Sequence, residues 1–287
     1  MQGILIVDKP MDWTSFDVVA KLRGVLGTRK LGHSGTLDPM ATGVLPVFCG
    51  GASKAVDLQL NHDKTYRATL RLGARTDTGD STGTVLETAP VTAGEKELLA
   101  VLPQFIGPQM QVPPMYSAVK INGQPLYKLA REGVTVERKA RPIEIYGIEY
   151  GGSPAENEYV LTVRCSKGTY IRTLCKDIGQ ALGCGGCMQE LRRVTAGEYT
   201  IREAVPLQVL LDAQNPEEYL RNVDTMFRNH PAVKLTSNQE KRCRNGNSFR
   251  VSLEAGTYRA YSQSGEFLML AKVEDGVMST VKSFFDV

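Results

Sequence analysis

The chain predicts an α+β fold: a large domain in which strands and helices intermix, then a small domain of short strands. Three observations carry this. Lys64–Leu72 alternates, with Tyr66, Ala68, Leu70 and Leu72 on one face and Thr65, Arg67, Thr69 and Arg71 on the other, as in a half-buried strand. Thr14 with Asp17, and Thr92 with Glu95, place capping residues ahead of apolar stripes of helical period. Beyond His230-Pro231 short β runs are parted by glycine turns at Asn245-Gly246, Ala255-Gly256 and Ser264-Gly265. A chain of 287 residues, 42% hydrophobic and 23% charged, suits one large domain (1–230) and one small one (231–287).

Taken in order, Gly3–Val7 is a β-branched run broken at Lys9-Pro10. A helix follows from Thr14 to about Leu26, with Phe16, Val19, Leu22, Val25 and Leu26 as its apolar face. The stretch from Leu31 to Gly51 sets a glycine-rich loop, holding His33 and Asp38, directly before the apolar strand Val44–Cys49. Pro39 disfavours helical backbone at Asp38, so the carboxylate is expected to project from a turn. Ala52–Leu60 reads as a short helix, and a second capped helix runs from Thr92 to about Phe105. Residues 113–133 form an irregular excursion with a tight turn at Asn122-Gly123 and helical turns over Leu126–Arg131. Ile143–Tyr150 and Tyr159–Cys165 are strands. Thr169 caps a helix striped by Ile171, Leu174, Cys175, Ile178 and Leu182. A strand near Glu198–Ile201 and helices near Pro206–Ala213 and Pro216–Phe227 complete the large domain.

Several classes of function lack their signatures. No G-x-x-x-x-G-K-[ST], G-x-G-x-x-G or G-x-S-x-G spacing occurs around Gly32–Gly43, and three histidines in unpatterned positions do not make a metal site. Cys184 and Cys187 form a C-x-x-C with no second pair, which reads as a glycine turn; the six scattered cysteines suit reduced thiols in the cytoplasm. Prolines interrupt the longest uncharged stretch, and the amino-terminal apolar run has no basic region before it, so neither a membrane span nor a signal peptide is expected. The net charge of +3 matters less than its distribution. Basic clusters at Lys64–Arg75, Lys128–Arg141, Arg164–Lys176 and Lys234–Arg250 lie within or beside stretches carrying Tyr66, Tyr116, Tyr127 and Tyr170, a pattern suited to RNA phosphates and unstacked bases.

The run Gly32-His33-Ser34-Gly35-Thr36-Leu37-Asp38-Pro39, with Ala41-Thr42-Gly43 after it, resembles the signature of the TruB family of tRNA pseudouridine synthases. Asp8-Lys9-Pro10, Lys64-Thr65-Tyr66, Arg75-Thr76-Asp77-Thr78, Pro114–Ala118 with Lys120, Ser166–Arg172 and Leu191-Arg192-Arg193 match further family motifs in order, across about residues 3 to 200. Ser34 and Met40 stand where threonine and leucine are usual. The resemblance implies a catalytic domain around a mixed, largely antiparallel sheet, with 113–133 as an RNA-clamping insertion and 231–287 as a small PUA-like domain. It implies isomerisation of uridine 55 in the tRNA T loop, on a flipped-out base, with no cofactor or metal, by a protein expected to be monomeric. Asp38 would be the nucleophile and Arg172 its partner, keeping it ionised and lowering its pKa. Tyr66 would stack on the base and assist proton removal. Tyr170 and Leu191 would line the pocket, His33 would fill the space left by the base, and Lys9, Tyr116 and Lys120 would contact or close over RNA. Two other classes stay open: an RNA-binding chaperone, which needs no Asp38, and a glycoside hydrolase, which would need a second carboxylate that the signature motifs do not place there.

Overall fold

The computed structural model describes residues 2–58, 62–121 and 123–285. Asn122 of the expected turn, and the last residues of the expected Ala52–Leu60 helix, lie outside them. In chain order the first strands are β1 (Gly3–Lys9), β2 (Leu31–His33), β3 (Thr42–Cys49) and β4 (Lys64–Leu72). Two small hairpins follow, β5 (Ala74–Thr76) with β6 (Val85–Thr88), and, after β7 (Gly107–Gln111), β8 (Lys120–Ile121) with β9 (Gln124–Pro125). Then come β10 (Arg141–Tyr150), β11 (Glu158–Cys165), β12 (Gly186–Ala196), β13 (Tyr199–Thr200) and β14 (Val205–Pro206). Ten of these form one sheet in the order β14-β1-β3-β12-β4-β11-β10-β7, with β2 beside β3 and β13 beside β12. Only β1–β14 and β3–β12 pair in parallel, so the sheet is mixed and largely antiparallel, as expected.

Most elements follow their local signals. β4 buries Tyr66, Ala68, Leu70 and Leu72, while Arg67 and Arg71 are exposed. β3 is buried from Gly43 onward, because β1 and β12 flank it and apolar side chains cover it. Helix α1 (Ser15–Val25) begins at the expected box, with the Asp17 N–H donating to Thr14 Oγ1 at 3.0 Å. Its buried face differs: Val18 lies inside, and Phe16 is 64% exposed beneath the Arg23 guanidinium. Helix α2 (Glu95–Val101) is capped from Gly94, whose N–H donates to Glu97 at 2.9 Å, and not from Thr92. Helix α3 (Leu126–Arg131) stands where expected. Helix α4 (Ile171–Ala181) starts after Tyr170, and the Thr169 hydroxyl donates to the Ser166 carbonyl instead of capping it.

The central strand β12 had no sequence expectation. It lies between β3 and β4, with register breaks at Met188/Glu190 and Arg193/Thr195 that scramble its alternation. The CGGC turn before it serves close packing: a Cβ on Gly186 would stand 2.8 Å from the Cys175 carbonyl of α4. Helix α5 (Leu207–Asp212) is followed by two 3-10 turns, Pro216–Tyr219 and Val223–Phe227, where one helix was expected. Arg221 between them exchanges two backbone hydrogen bonds of 2.9 Å with Ile4, which draws the chain onto β1.

The second sheet has five strands, β15 (Ala232–Lys234), β16 (Phe249–Arg250), β17 (Gly256–Tyr261), β18 (Phe267–Glu274) and β19 (Val277–Ser283), in the order β15-β17-β18-β19-β16. A helix that the strand pattern did not anticipate, α6 (Ser237–Arg244), is boxed by Thr236 and Gln239. Leu270 and Phe284 of this part share an apolar cluster with Ile4, Phe48 and Phe227 of the first. Among the described residues no helix is long and apolar enough to cross a membrane.

Candidate active site

A cleft of about 580 Å³ is walled by the loop 33–38, the start of β4, the segment 167–172 and the β12 residues Leu191 and Arg193. Asp38 is held on its wall from both sides. The Leu37 N–H donates to Ser15 Oγ at 2.9 Å, tying the loop to the first turn of α1. The Ala41 N–H donates to the Asp38 carbonyl at 3.0 Å, and the Asp12 N–H to the Pro39 carbonyl at 2.9 Å. Asp38 thus stands in a turn, and its side chain is 36% exposed to the cleft.

Arg172, in the first turn of α4, meets that carboxylate at 3.0 Å and is itself 5% exposed. Its guanidinium donates to the Thr78 carbonyl at 2.9 Å and the Tyr116 carbonyl at 2.6 Å. The Arg-Thr-Asp-Thr segment and the 113–133 excursion therefore meet α4 at this residue. Burial raises the Asp38 pKa above the ordinary carboxylate range; the Arg172 charge opposes the rise, and the Asp80 charge adds to it. Arg172 lowers the Asp38 pKa as expected, but withdrawal of water outweighs that attraction and the net direction is upward.

Tyr66 is 7% exposed and lines the cleft. Burial pushes its phenol pKa up, and the charge of Arg193 is the first force against it. Tyr170 and Leu191 line the cleft too. Tyr170 is fixed by Gln111 of β7, whose amide accepts its N–H at 2.8 Å and donates to its carbonyl at 3.1 Å. His33 lines the cleft with a buried, unbonded Nδ1, and burial followed by the Arg193 charge lowers its pKa, so the imidazole is neutral at pH 7.

Three expected contact residues stand differently. Lys9 is 0% exposed, and its ammonium donates to the carbonyls of Pro10, Trp13 and Pro39 at 2.8, 2.6 and 3.1 Å. It braces the Asp38 turn from behind and presents nothing to a ligand. Tyr116 reaches the site through its carbonyl. Lys120 is exposed on β8 and does not wall the cleft.

Sequence reasoning missed Asp80 and Arg193. Asp80 is 4% exposed, 3.7 Å from Arg172, and its Oδ1 accepts from the Thr78 hydroxyl and from both the N–H and hydroxyl of Thr82. Its signal was the threonine at two residues on either side. A second carboxylate therefore does share Arg172 with Asp38, but buried and bonded in this way it cannot reach a sugar. Basic and aromatic side chains meet within α3, where Arg131 lies 5.6 Å from the Tyr127 ring, and between β11 and β10, where Arg164 lies 5.3 Å from that of Tyr146.

Residues 23–171 match the model of the TruB family pseudouridylate synthase amino-terminal domain, and residues 172–223 that of the tRNA pseudouridylate synthase B carboxy-terminal domain. The chain is 42% identical to the tRNA pseudouridine synthase B of Clostridium kluyveri, covering 99% of this chain and 100% of that one. It is also 42% identical to that of Actinobacillus pleuropneumoniae (95% and 92% covered). A chain of an H/ACA RNP bound to a substrate RNA containing 2'-deoxyuridine shares the fold, with a TM-score of 0.72 at 22% identity over 99% of this chain and 85% of that one. A chain of a Cbf5-Nop10-Gar1 complex gives the same score at 24% identity, with the same shares covered. This chain belongs to the TruB family of pseudouridylate synthases.

Proposed function

We propose that the protein isomerises uridine 55 in the T loop of tRNA to pseudouridine, with Asp38 as the nucleophile. The observation that carries this reading is the 3.0 Å pair of Asp38 with a buried Arg172 in a cleft that also holds Tyr66. In the reaction the nitrogen–sugar bond breaks and a carbon–sugar bond forms. One proton leaves the carbon and the freed nitrogen gains one, so no electrons are exchanged. A carboxylate can bond covalently to the substrate and leave again, and Arg172 steadies its charged form. The target uridine must leave its stack, at a cost of roughly a few kcal/mol. The neutral His33 supports the vacated space and Tyr66 stacks on the base, while Tyr170 and Leu191 pack around it.

The wider reading has residues 1–230 as the catalytic domain, 113–133 as the segment that closes over the T-stem-loop, and 231–287 as a PUA-like unit adding RNA contacts, in a monomeric cytoplasmic protein. Asp38→Asn tests the core of it. The variant is expected to bind a T-stem-loop transcript normally and form no pseudouridine. Retained isomerisation would sink the mechanism, and lost binding would return Asp38 to a role in RNA recognition.

A further inference from the structure

Gly43 on β3, Arg193 on β12 and Tyr66 on β4 are direct register neighbours across three strands. Arg193 is 0% exposed. Its Nε donates to the Val44 carbonyl at 2.7 Å and its Nη2 to the Gly35 carbonyl at 2.9 Å, which locks the guanidinium in place. Nη1 is buried and makes no hydrogen bond. The same guanidinium interacts with the phenol of Tyr66 and bears on three basic neighbours: burial, with the Arg193 charge as a lesser cause, lowers the pKa of Lys9 and Lys64 to about 8 and that of His33 below its ordinary value. A permanent charge without water, with one nitrogen unpaired and basic groups around it, is costly. An apolar side chain could fill the same row of the sheet without that cost.

We propose that Arg193 is a positioning residue for the isomerisation, acting through Tyr66 by keeping a fixed cation beside the phenol and compensating the negative charge of its oxygen. The inference rests on the function proposed above. In the step concerned, the C–H bond of the rejoined uracil carbon breaks and its electron pair restores the ring double bond. The proton passes to the Tyr66 phenolate oxygen, and the resulting phenol returns it to solvent. The groups bearing on that oxygen are Arg193 from β12, Cys165 from β11 and Asp38 from the loop, while Lys64 shares its strand and its cleft. Arg193 favours phenolate; the Asp38 charge and Cys165 oppose it. Burial disfavours phenolate most, and Arg193 therefore increases the share of phenolate present at a given pH below the Tyr66 pKa against that effect.

The test is a double-mutant cycle of Arg193→Met and Tyr66→Phe, read as single-turnover pseudouridine formation in a T-stem-loop between pH 6 and 9.5. Arg193→Met should slow the reaction on the order of 10²-fold at pH 7 and displace its rise to higher pH, leaving RNA affinity unchanged. In the Tyr66→Phe background it should add no further loss. Arg193→Lys, which keeps the charge, should recover most of the rate and the wild-type pH profile. Equal losses in both Tyr66 backgrounds, or equal losses for Met and Lys with an unshifted profile, overturn the inference. If the Met variant does not fold, Arg193→Lys across the same two backgrounds decides it, since a loss that persists without the phenol is purely structural. Wild-type turnover of the same RNA checks the underlying function separately.

Discussion

Replacing Arg172 with Met removes the cation on which three segments converge. The attraction across the 3.0 Å pair is about 1.4 kcal/mol in water and about 5.5 kcal/mol at an effective dielectric of 20. Because Asp38 is 36% exposed, solvent screens the pair toward the lower limit, and about 2 kcal/mol is the reasonable figure. Arg172 lowers an Asp38 pKa that burial raises, so its loss lets that pKa climb further. The proposed reaction needs the carboxylate ionised, so the acidic limb of the rate profile should move to higher pH and part of the lost activity should return as pH rises. Stability should fall as well, by about 3–5 kcal/mol, because Asp80 is left buried without its cation and the Thr78 and Tyr116 carbonyls lose their donors. Pseudouridine formation from pH 5 to 9 and urea unfolding measure the two effects. A slower enzyme with an unmoved acidic limb would refute the electrostatic role and leave Arg172 as scaffold.

Two predictions concern the framework behind the site. Gly43 has φ +101, and a Cβ there would stand 2.2 Å from the Arg193 carbonyl, so Gly43→Ala must part β3 from β12. A stability loss of about 3–5 kcal/mol in the urea midpoint is expected, and a loss under about 1 kcal/mol would show that the sheet relaxes freely. Lys9 titrates at about 8 in the fold against 10.5 unfolded, so between those values the unfolded chain binds more protons and folding strengthens as pH rises. Lys9→Met should abolish about 3 kcal/mol of that gain, measured as the wild-type minus variant difference in unfolding free energy at pH 7 and pH 10.5. Equal pH dependence in the two proteins would show that Lys9 ionises as freely folded as unfolded.

The loop around Asp38 was legible because its chemistry is local. Proline after the aspartate excludes helix, glycines permit the turns, and an apolar run supplies the strand beneath. β4 and α4 were legible because each buries one face and keeps its period. β12 was not, since it sits between two strands, is bulged twice and carries a wholly buried arginine. Lys9 misled because a lysine reads as a surface cation, whereas three carbonyls from two separate segments enclose this one. The net direction of the Asp38 pKa was not legible, because the sequence names the charge that lowers it but says nothing of the water withdrawn from around it.

The amino-acid sequence by itself determined the candidate reactive groups, the turn that carries Asp38 and the family, all of which reside in short ordered stretches. Only the tertiary structure decided which groups act on one another. Asp38 with Arg172 and Asp80, and Tyr66 with Arg193, come from segments 42 to 134 positions apart, so their coupling depends on strand register and helix docking. Charge interactions depend on distance and on exclusion of solvent, and both arise from packing.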